Sequence, residues 1–127
     1  MIYGIGTDII DINRIKSVLN KYGDKFKHKC FHINEISWSN SKLKSAESFA
    51  KRYAAKEACA KALGTGLARG VFWKDIEVIN NKHGKPFIRL HNNALNFLNK
   101  KINKNAKIEL SLSDEINFAI ANVIIFR

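Results

Sequence analysis

The sequence RYAAKEACAKALGTG occupies residues 52–66. Alanine, the residue with the highest helix propensity, recurs throughout it, and neither glycine nor proline interrupts it before Gly64. Gly64 stands where helices commonly end in a left-handed residue, and Gly66 extends the turn. The pattern therefore predicts a long helix that begins near Ser45 or Ala46 and ends at a Gly-Thr-Gly turn.

The charged side chains of this helix form two pairs at a spacing of four residues, which places each pair on one face. Glu57 pairs with Lys61, and Arg52 pairs with Lys56. One interpretation is a site for a metal ion and phosphates, because small alanines leave room around a lone acid among several cations. The other is an exposed helix whose Glu–Lys pair adds only ~0.3–0.5 kcal/mol of stability. The spacing alone favours the exposed helix, since such pairs are common on protein surfaces.

The length and composition fit a single domain spanning residues 1–127. The chain is 46% hydrophobic and 26% charged, which is ordinary for a folded domain with its own core. No apolar run approaches the ~20 residues of a membrane span, and the N-terminus lacks the pattern of a secretion signal. The cysteines Cys30 and Cys59 have no metal-ligand spacing. We therefore expect a cytoplasmic protein that does not associate with membranes.

The formal net charge of +11 and the pI of about 9.8 indicate an anionic partner. The sign does not distinguish nucleic acid, an acidic protein, a phosphorylated small molecule and a membrane surface. An RNA-binding module without catalytic activity is one hypothesis, because aromatic side chains beside basic ones can stack on bases. Against it, the aromatic residues lie mostly in apolar runs, which is typical of a core, and no common nucleic-acid-binding motif is present.

The first predicted strand runs from Ile2 to Ile10. Gly4 and Gly6 lie within it, and glycine inside a strand often marks a close approach of another backbone. Asp8 follows in the same apolar run. Two interpretations of Asp8 are open: it caps the next helix, or it needs a charged partner because an isolated buried carboxylate is costly.

The apolar periodicity predicts two shorter helices, Asp11–Tyr22 and Asn34–Asn40, with Gly23 ending the first and Asn34 capping the second. The basic segment 25–29 between them is interpreted either as a solvated loop or as a docking surface. His28 and His32 are four residues apart, but no third ligand accompanies them, so a metal site is not favoured there.

The second half of the chain reads mainly as strands. A hairpin is predicted from Ile76–Ile79 and Pro86–Leu90, followed by a helix from Asn92 to about Lys101. Residues 108–112 alternate between apolar and polar side chains, and Phe118–Phe126 is apolar apart from Asn122. The last strand is therefore expected at the centre of an antiparallel sheet.

Several motifs occur in one order along the chain: GIGTDIIDINRI from Gly4, the segment at 52–66, WKDIEV from Trp73, GKP from Gly84 and SLS from Ser111. Together they resemble the 4'-phosphopantetheinyl transferase family, specifically its short bacterial holo-acyl-carrier-protein synthases. The resemblance covers nearly the whole chain. It implies an α+β fold, with a small antiparallel sheet packed against a long central helix and shorter helices.

The resemblance also implies an activity. Such an enzyme transfers the 4'-phosphopantetheine group of coenzyme A to a serine of apo acyl carrier protein in fatty-acid biosynthesis, with adenosine 3',5'-bisphosphate as the other product. It implies a Mg²⁺ ion held by Asp8 and Glu57, which suits the preference of Mg²⁺ for one or two carboxylates together with phosphate oxygens. Lys61 completes the implied catalytic set by binding the pyrophosphate, and Glu57 is also a candidate to accept the serine proton.

Further residues are implied to bind coenzyme A. Arg52 is the candidate for the 3'-phosphate, because guanidinium binds phosphate with two parallel hydrogen bonds. Two short segments are implied to hold the rest of the coenzyme: Gly64, Thr65 and Gly66 at the phosphates, and Gly84, Lys85 and Pro86 at the adenine or pantetheine. The family assembles as homotrimers with the coenzyme between subunits, so some of these residues are expected to act from a neighbouring chain.

The basic excess also fits this resemblance, because acyl carrier proteins are acidic. Arg14 is implied as the leading contact, with Lys21 and Lys25 beside it. Val18, Tyr22 and Phe26 belong either to this surface or to the core. At one position the chain departs from the family: Asp114 stands where histidine is common, so no role is assigned to it.

Overall fold

The computed structural model describes residues 1–127. It contains five strands: β1 Ile2–Asp11, β2 Ile76–Asn80, β3 Pro86–Leu90, β4 Lys107–Asp114 and β5 Phe118–Phe126. It contains five α-helices: α1 Ile12–Tyr22, α2 Asp24–Cys30, α3 Ile33–Asn40, α4 Ser45–Leu63 and α5 Asn92–Phe97. A short 3₁₀ helix, Trp73–Asp75, precedes β2, and a π-helical segment, Leu98–Asn103, continues α5. None of the helices is both long enough and apolar enough to cross a membrane.

The larger sheet is antiparallel with the strand order β1-β5-β4, and β2 and β3 form a separate antiparallel hairpin. The central position of β5 and the hairpin are both as predicted. Along β5, a buried face formed by Ala119, Ala121, Val123 and Ile125 alternates with a partly exposed one. The α+β fold class is confirmed.

Helix α4 crosses β1 and β5 at very short range. The backbones meet where β1 carries Gly4 and Gly6: a Cβ atom on Gly6 would lie 1.8 Å from the carbonyl oxygen of Ala58, and one on Gly4 would lie 2.0 Å from that of Ala62. The predicted close approach is therefore the contact between β1 and α4. The alanines of α4 form the centre of a cluster of 26 buried hydrophobic residues.

The bounds of α4 agree with the prediction. The helix begins at Ser45, and Gly64 caps its end in the left-handed conformation, with φ of 84° and its N–H bonded to the Lys61 carbonyl. Lys56 differs from the sequence interpretation, because it lies in the core instead of among exposed cations. Its ammonium donates to Glu35 Oε1 at 2.8 Å and to the Trp73 and Ile76 carbonyls. Burial lowers the pKa of Lys56, although the Glu35 carboxylate opposes this shift.

Three other predictions need correction. The basic segment 25–29 is not a loop but part of α2. Asn34 does not cap α3: the helix begins one residue earlier, and Glu35 reaches back to accept from the His32 N–H at 3.0 Å. The helix predicted from Asn92 loses α geometry after Phe97 and continues as π-helix.

Candidate active site

Asp8 and Lys61 meet where β1 crosses α4. The Lys61 Nζ donates to Asp8 Oδ1 at 3.1 Å and to the Thr7 carbonyl at 3.0 Å. Asp8 does not cap α1: Asp11 has that role and accepts from the Asn13 N–H at 2.9 Å. The spacing within α4 had favoured a pair between Lys61 and Glu57. In the structure Lys61 instead binds residues of β1.

Glu57 lies beside the Asp8–Lys61 pair, half-buried against the same strand. Burial raises the pKa of its carboxyl, and the negative charge of Asp8 raises it further, whereas Lys61 and Arg14 act in the opposite direction. Two carboxylates from different elements thus repel each other at this point. A divalent cation between them would remove that repulsion, so the residues fit a Mg²⁺ site of the implied kind.

Tyr53 lies one helical turn before Glu57 and was not predicted as part of the site. Its ring stacks on Trp73 at 4.5 Å between centroids. Burial, together with the Glu57 carboxylate, raises the pKa of its hydroxyl to about 12, so Tyr53 stays protonated. No sequence signal marks it, because an aromatic residue at this spacing is indistinguishable from core.

A second group of predicted residues lines a cavity of about 670 Å³ at the start of α4. Arg52, Gly84 and Pro86 all contribute to its wall. Two acidic side chains, Glu47 and Asp114, line this cavity. Four basic side chains line it as well: Lys42, Lys44, Lys51 and Arg52. The excess of positive charge makes this cavity suitable for an anionic ligand.

Arg52 is the most buried of these cations, with 4% of its surface exposed. One of its terminal nitrogens donates to Asn80 Oδ1, while its Nε is buried without a hydrogen-bond partner. Burial lowers the pKa of its guanidinium. A buried donor with no partner is costly, so a ligand oxygen at this position would satisfy it.

The remaining predicted binding residues lie at several places. Lys85 forms an exposed ion pair with Glu109 at 3.3 Å instead of facing the cavity. Gly64 and Gly66 have positive φ, and Thr65 between them is buried and donates to the Gly66 carbonyl at 2.7 Å. These three residues begin three positions after Lys61, at the C-terminal end of α4.

Asp114 has a partner that the sequence did not indicate. Its Oδ1 lies 3.3 Å from the Nζ of Lys51, and both side chains line the cavity. The acid therefore neutralises one of the cations of the cavity wall.

The carboxylates and the cavity occupy opposite sides of α4 within one chain. Arg52 and Glu57 are five residues apart, which turns their side chains about 140° from each other around the helix axis. Asp8, Glu57 and Lys61 do not line the cavity. The structure thus brings the predicted residues together as two groups, not one.

The predicted docking residues are exposed on α1 and α2. Lys25 lines a groove with Val18, Tyr22, Phe26 and Lys29. Tyr22 is 51% exposed, so it belongs to the surface, whereas Phe26 packs against the core. Lys21 lies over the Tyr22 ring at 5.2 Å. Arg14 is exposed on α1, and its positive charge lowers the pKa of Glu57.

The sequence profile of the 4'-phosphopantetheinyl transferase superfamily matches residues 4–121. The chain belongs to this superfamily. A holo-[acyl-carrier-protein] synthase from Sinorhizobium fredii is 48% identical over 127 residues, which cover 98% of this transferase and 91% of the relative. The resemblance inferred from the motifs is confirmed.

Solved structures agree with this membership. Holo-[acyl-carrier-protein] synthase from Neisseria meningitidis is 35% identical, with a TM-score of 0.88 and complete coverage of both chains. The enzyme from Helicobacter pylori, solved in complex with coenzyme A, is 29% identical, with a TM-score of 0.82 over 96% of this transferase and 99% of that chain.

Proposed function

We propose that this transferase moves the 4'-phosphopantetheine group of coenzyme A onto a serine of apo acyl carrier protein, releasing adenosine 3',5'-bisphosphate. The observation that carries the proposal is the β1–α4 contact, which places Asp8 beside Lys61 and Glu57. The high identity to holo-[acyl-carrier-protein] synthases supports the same reaction.

The reaction needs charge stabilisation more than covalent chemistry, because negative charge spreads over phosphoryl oxygens in the transition state. Asp8 and Glu57 would hold a Mg²⁺ ion, which when bound neutralises charge on the pyrophosphate. Lys61 adds a positive charge at the same point, and its ties to Asp8 and the Thr7 carbonyl orient it. Glu57 would also be the candidate to accept the serine proton, because its carboxylate lies where the hydroxyl would be activated.

The cavity at Arg52 would bind the nucleotide end of coenzyme A. Its cations and the buried Arg52 Nε suit a phosphate, and Gly84 and Pro86 form part of its wall. Because this cavity and the carboxylates lie on opposite sides of α4, one coenzyme would contact the carboxylates of one chain and the cavity of a neighbour. A homotrimer with sites between subunits supplies this arrangement.

The exposed basic surface of α1 and α2 would dock the acidic carrier protein. Arg14 joins this surface to Glu57, so a docked serine would arrive near the carboxylates. We further propose that residues 1–127 act as one domain, in the cytoplasm and in fatty-acid biosynthesis.

The RNA-binding alternative gains no support. Of the aromatic residues proposed for base stacking, Phe31 is buried, Tyr53 stacks on Trp73, and Phe26 packs edge-on against Phe31. Only Phe72 is largely exposed. The relative from Sinorhizobium fredii carries the name of an enzyme, holo-[acyl-carrier-protein] synthase.

The test is a transfer assay with coenzyme A, Mg²⁺ and purified apo acyl carrier protein, read by intact-mass spectrometry. We expect the carrier to gain the mass of one phosphopantetheine arm. Asp8→Ala and Glu57→Ala are expected to lose turnover while the oligomer persists in size-exclusion chromatography, and Glu115→Ala, an exposed acid elsewhere, should retain it. No mass gain with several apo carriers would refute the function, and full activity of Asp8→Ala or Glu57→Ala would refute the metal assignment.

A further inference from the structure

Three side chains with metal-binding chemistry converge away from the carboxylates and the large cavity. His32 immediately precedes α3, Glu77 lies in β2, and His91 follows β3. One ring nitrogen of each histidine and one carboxylate oxygen of Glu77 lie within 4.8 Å of one another. Residues this far apart in sequence meet only because the hairpin packs beside α3.

The contacts of the two rings differ. His91 Nε2 lies 2.8 Å from Glu77 Oε1, and the His32 and His91 ring centroids are 5.0 Å apart. His32 Nε2 lies 2.6 Å from the Lys74 carbonyl oxygen, which can only accept, so this nitrogen carries a proton. In the neutral ring the lone pair is therefore on Nδ1, and a carbonyl bond of this kind orients metal-binding histidines.

The backbone around these residues is held by another side chain. Glu35 accepts from the N–H of His32 at 3.0 Å through one oxygen and from the N–H of Val78 at 3.2 Å through the other. It thus ties the residue before α3 to the strand position next to Glu77. On the far side, the His91 N–H donates to the Asp75 carbonyl at 2.8 Å. All three segments are fixed without the participation of the three side chains.

We propose that His32, Glu77 and His91 form a binding site for a zinc ion, distinct from the carboxylate site at Asp8 and Glu57. Two imidazoles and one carboxylate are a set that Zn²⁺ favours, with a water molecule in the fourth position. Mg²⁺ prefers oxygen ligands only, so it should occupy the carboxylate site and leave this one to Zn²⁺.

The separations are close to what zinc requires. Two ligand atoms at about 2.0–2.1 Å from one ion lie no more than about 4.2 Å apart. In a tetrahedral site they lie only about 3.4 Å apart, so the longest separation in the cluster, at most 4.8 Å, must contract by up to about 1.4 Å. The side chain of His91 is 32% exposed, which leaves space on its solvent side for the ring to shift, whereas the Glu77 side chain is only 7% exposed. The neighbouring cation, Arg89, lies opposite Glu77 in the hairpin with an exposed side chain.

The site is tested by calorimetric titration of the chelator-treated full chain with Zn²⁺, with saturating Mg²⁺ to occupy the carboxylates. We expect one zinc ion per chain. The variants His32→Ala and His91→Ala should each weaken binding by at least about 100-fold, more than loss of an outer-shell partner costs. The matched control is His28→Ala/His83→Ala, which removes the two exposed histidines outside the cluster and should leave zinc affinity unchanged. No zinc uptake, or equal uptake by wild type and His32→Ala/His91→Ala, overturns the proposal.

Two measurements on the wild type test the same site without substitutions, so poor folding of a variant cannot affect them. Zinc should shift the imidazole nitrogen resonances of His32 and His91 and leave those of His28 and His83 in place. Cobalt in place of zinc should give the intense visible absorption of a four-coordinate ion. Shifts confined to His28 and His83, or a weak six-coordinate cobalt spectrum, would each contradict the site.

Discussion

Gly6 of β1 lies directly against Ala58 of α4, so closely that a Cβ atom on Gly6 would come within 1.8 Å of the Ala58 carbonyl oxygen. Asp8 is two residues further along and therefore lies on the same face of the strand. The glycine contact thus directs Asp8 toward the helix that carries Glu57 and Lys61. The arrangement of the carboxylates depends on a residue without a side chain.

Gly6→Ala is expected to destabilise the protein by about 3 kcal/mol or more, at the upper end of overpacking costs, because the obstructing atom belongs to a helix backbone. Urea denaturation measures the loss. Gly84→Ala is the control: nothing lies within 4 Å of its Cβ position, so only its positive φ of 87° is strained, at about 1–2 kcal/mol. A Gly6→Ala variant as stable as the wild type would contradict this prediction, because β1 could then move away from α4 without loss of folding stability.

The sequence predicted those features that depend on local pattern. The alanine run of α4, its Gly64 cap and the central position of β5 follow from propensity and periodicity, and they agree with the structure. Gly4 and Gly6 predicted a close approach, but the partner helix lies far along the chain, and no local pattern identifies it. The family resemblance, rather than spacing, joined Asp8 to Glu57.

Other features could not be predicted because they depend on tertiary contacts. Lys56 is four residues from Arg52 and looks like an exposed cation, yet it is buried because Glu35 and two carbonyls surround it. The cluster of His32, Glu77 and His91 could not be predicted either, because it forms only when the β2–β3 hairpin packs beside His32. Arg52 also required the fold, because its partner Asn80 lies in β2.

Lys56→Met is expected to cost about 3–5 kcal/mol, because it leaves the buried Glu35 carboxylate without its cation. Lys61→Met provides the contrast on the same helix. The side chain of Lys61 is 52% exposed, so its loss should cost less than about 1 kcal/mol of stability while abolishing transfer. Urea denaturation and the mass-spectrometric assay separate the two effects. A folded, fully stable Lys56→Met protein would contradict the structural role.

Glu57 should make stability depend on pH in a defined direction. Burial and Asp8 raise its pKa in the folded state, so the folded protein binds this proton more tightly than the unfolded chain does. The free energy of unfolding therefore falls as pH rises from the unfolded pKa of about 4.3 through the higher folded pKa. The Glu57→Gln variant has no such titrating group. Its free energy of unfolding relative to that of the wild type should therefore increase between the unfolded and the folded pKa of Glu57 and stay constant at higher pH.

Denaturation curves at successive pH values, without divalent metal, measure this difference. Glu115→Gln controls for the removal of one negative charge at an exposed position. A Glu57→Gln difference that stays flat, or that falls with rising pH, would show that Glu57 is not destabilised by its surroundings.

Arg52→Lys is expected to raise the KM for coenzyme A about tenfold or more, because lysine keeps the charge but loses the planar donors that bind phosphate. The same variant should use dephospho-coenzyme A, which lacks the 3'-phosphate, as well as the wild type does. Steady-state kinetics with both substrates test this, and Arg69→Lys, an exposed arginine outside the cavity, is the control. Equal losses with both substrates would mean that Arg52 supports the fold through Asn80 instead of binding the 3'-phosphate.

Lys25→Glu is expected to lower kcat/KM for the acyl carrier protein about tenfold at low salt, while the KM for coenzyme A stays unchanged. Lys25 lines the groove beside the exposed Tyr22, so reversal of its charge repels an acidic partner during encounter. The loss should shrink as salt rises, because exposed charges are screened. Lys100→Glu makes the same change of charge in the π-helical segment and should have little effect. Equal effects of the two variants would show that the carrier responds to net charge and not to this surface.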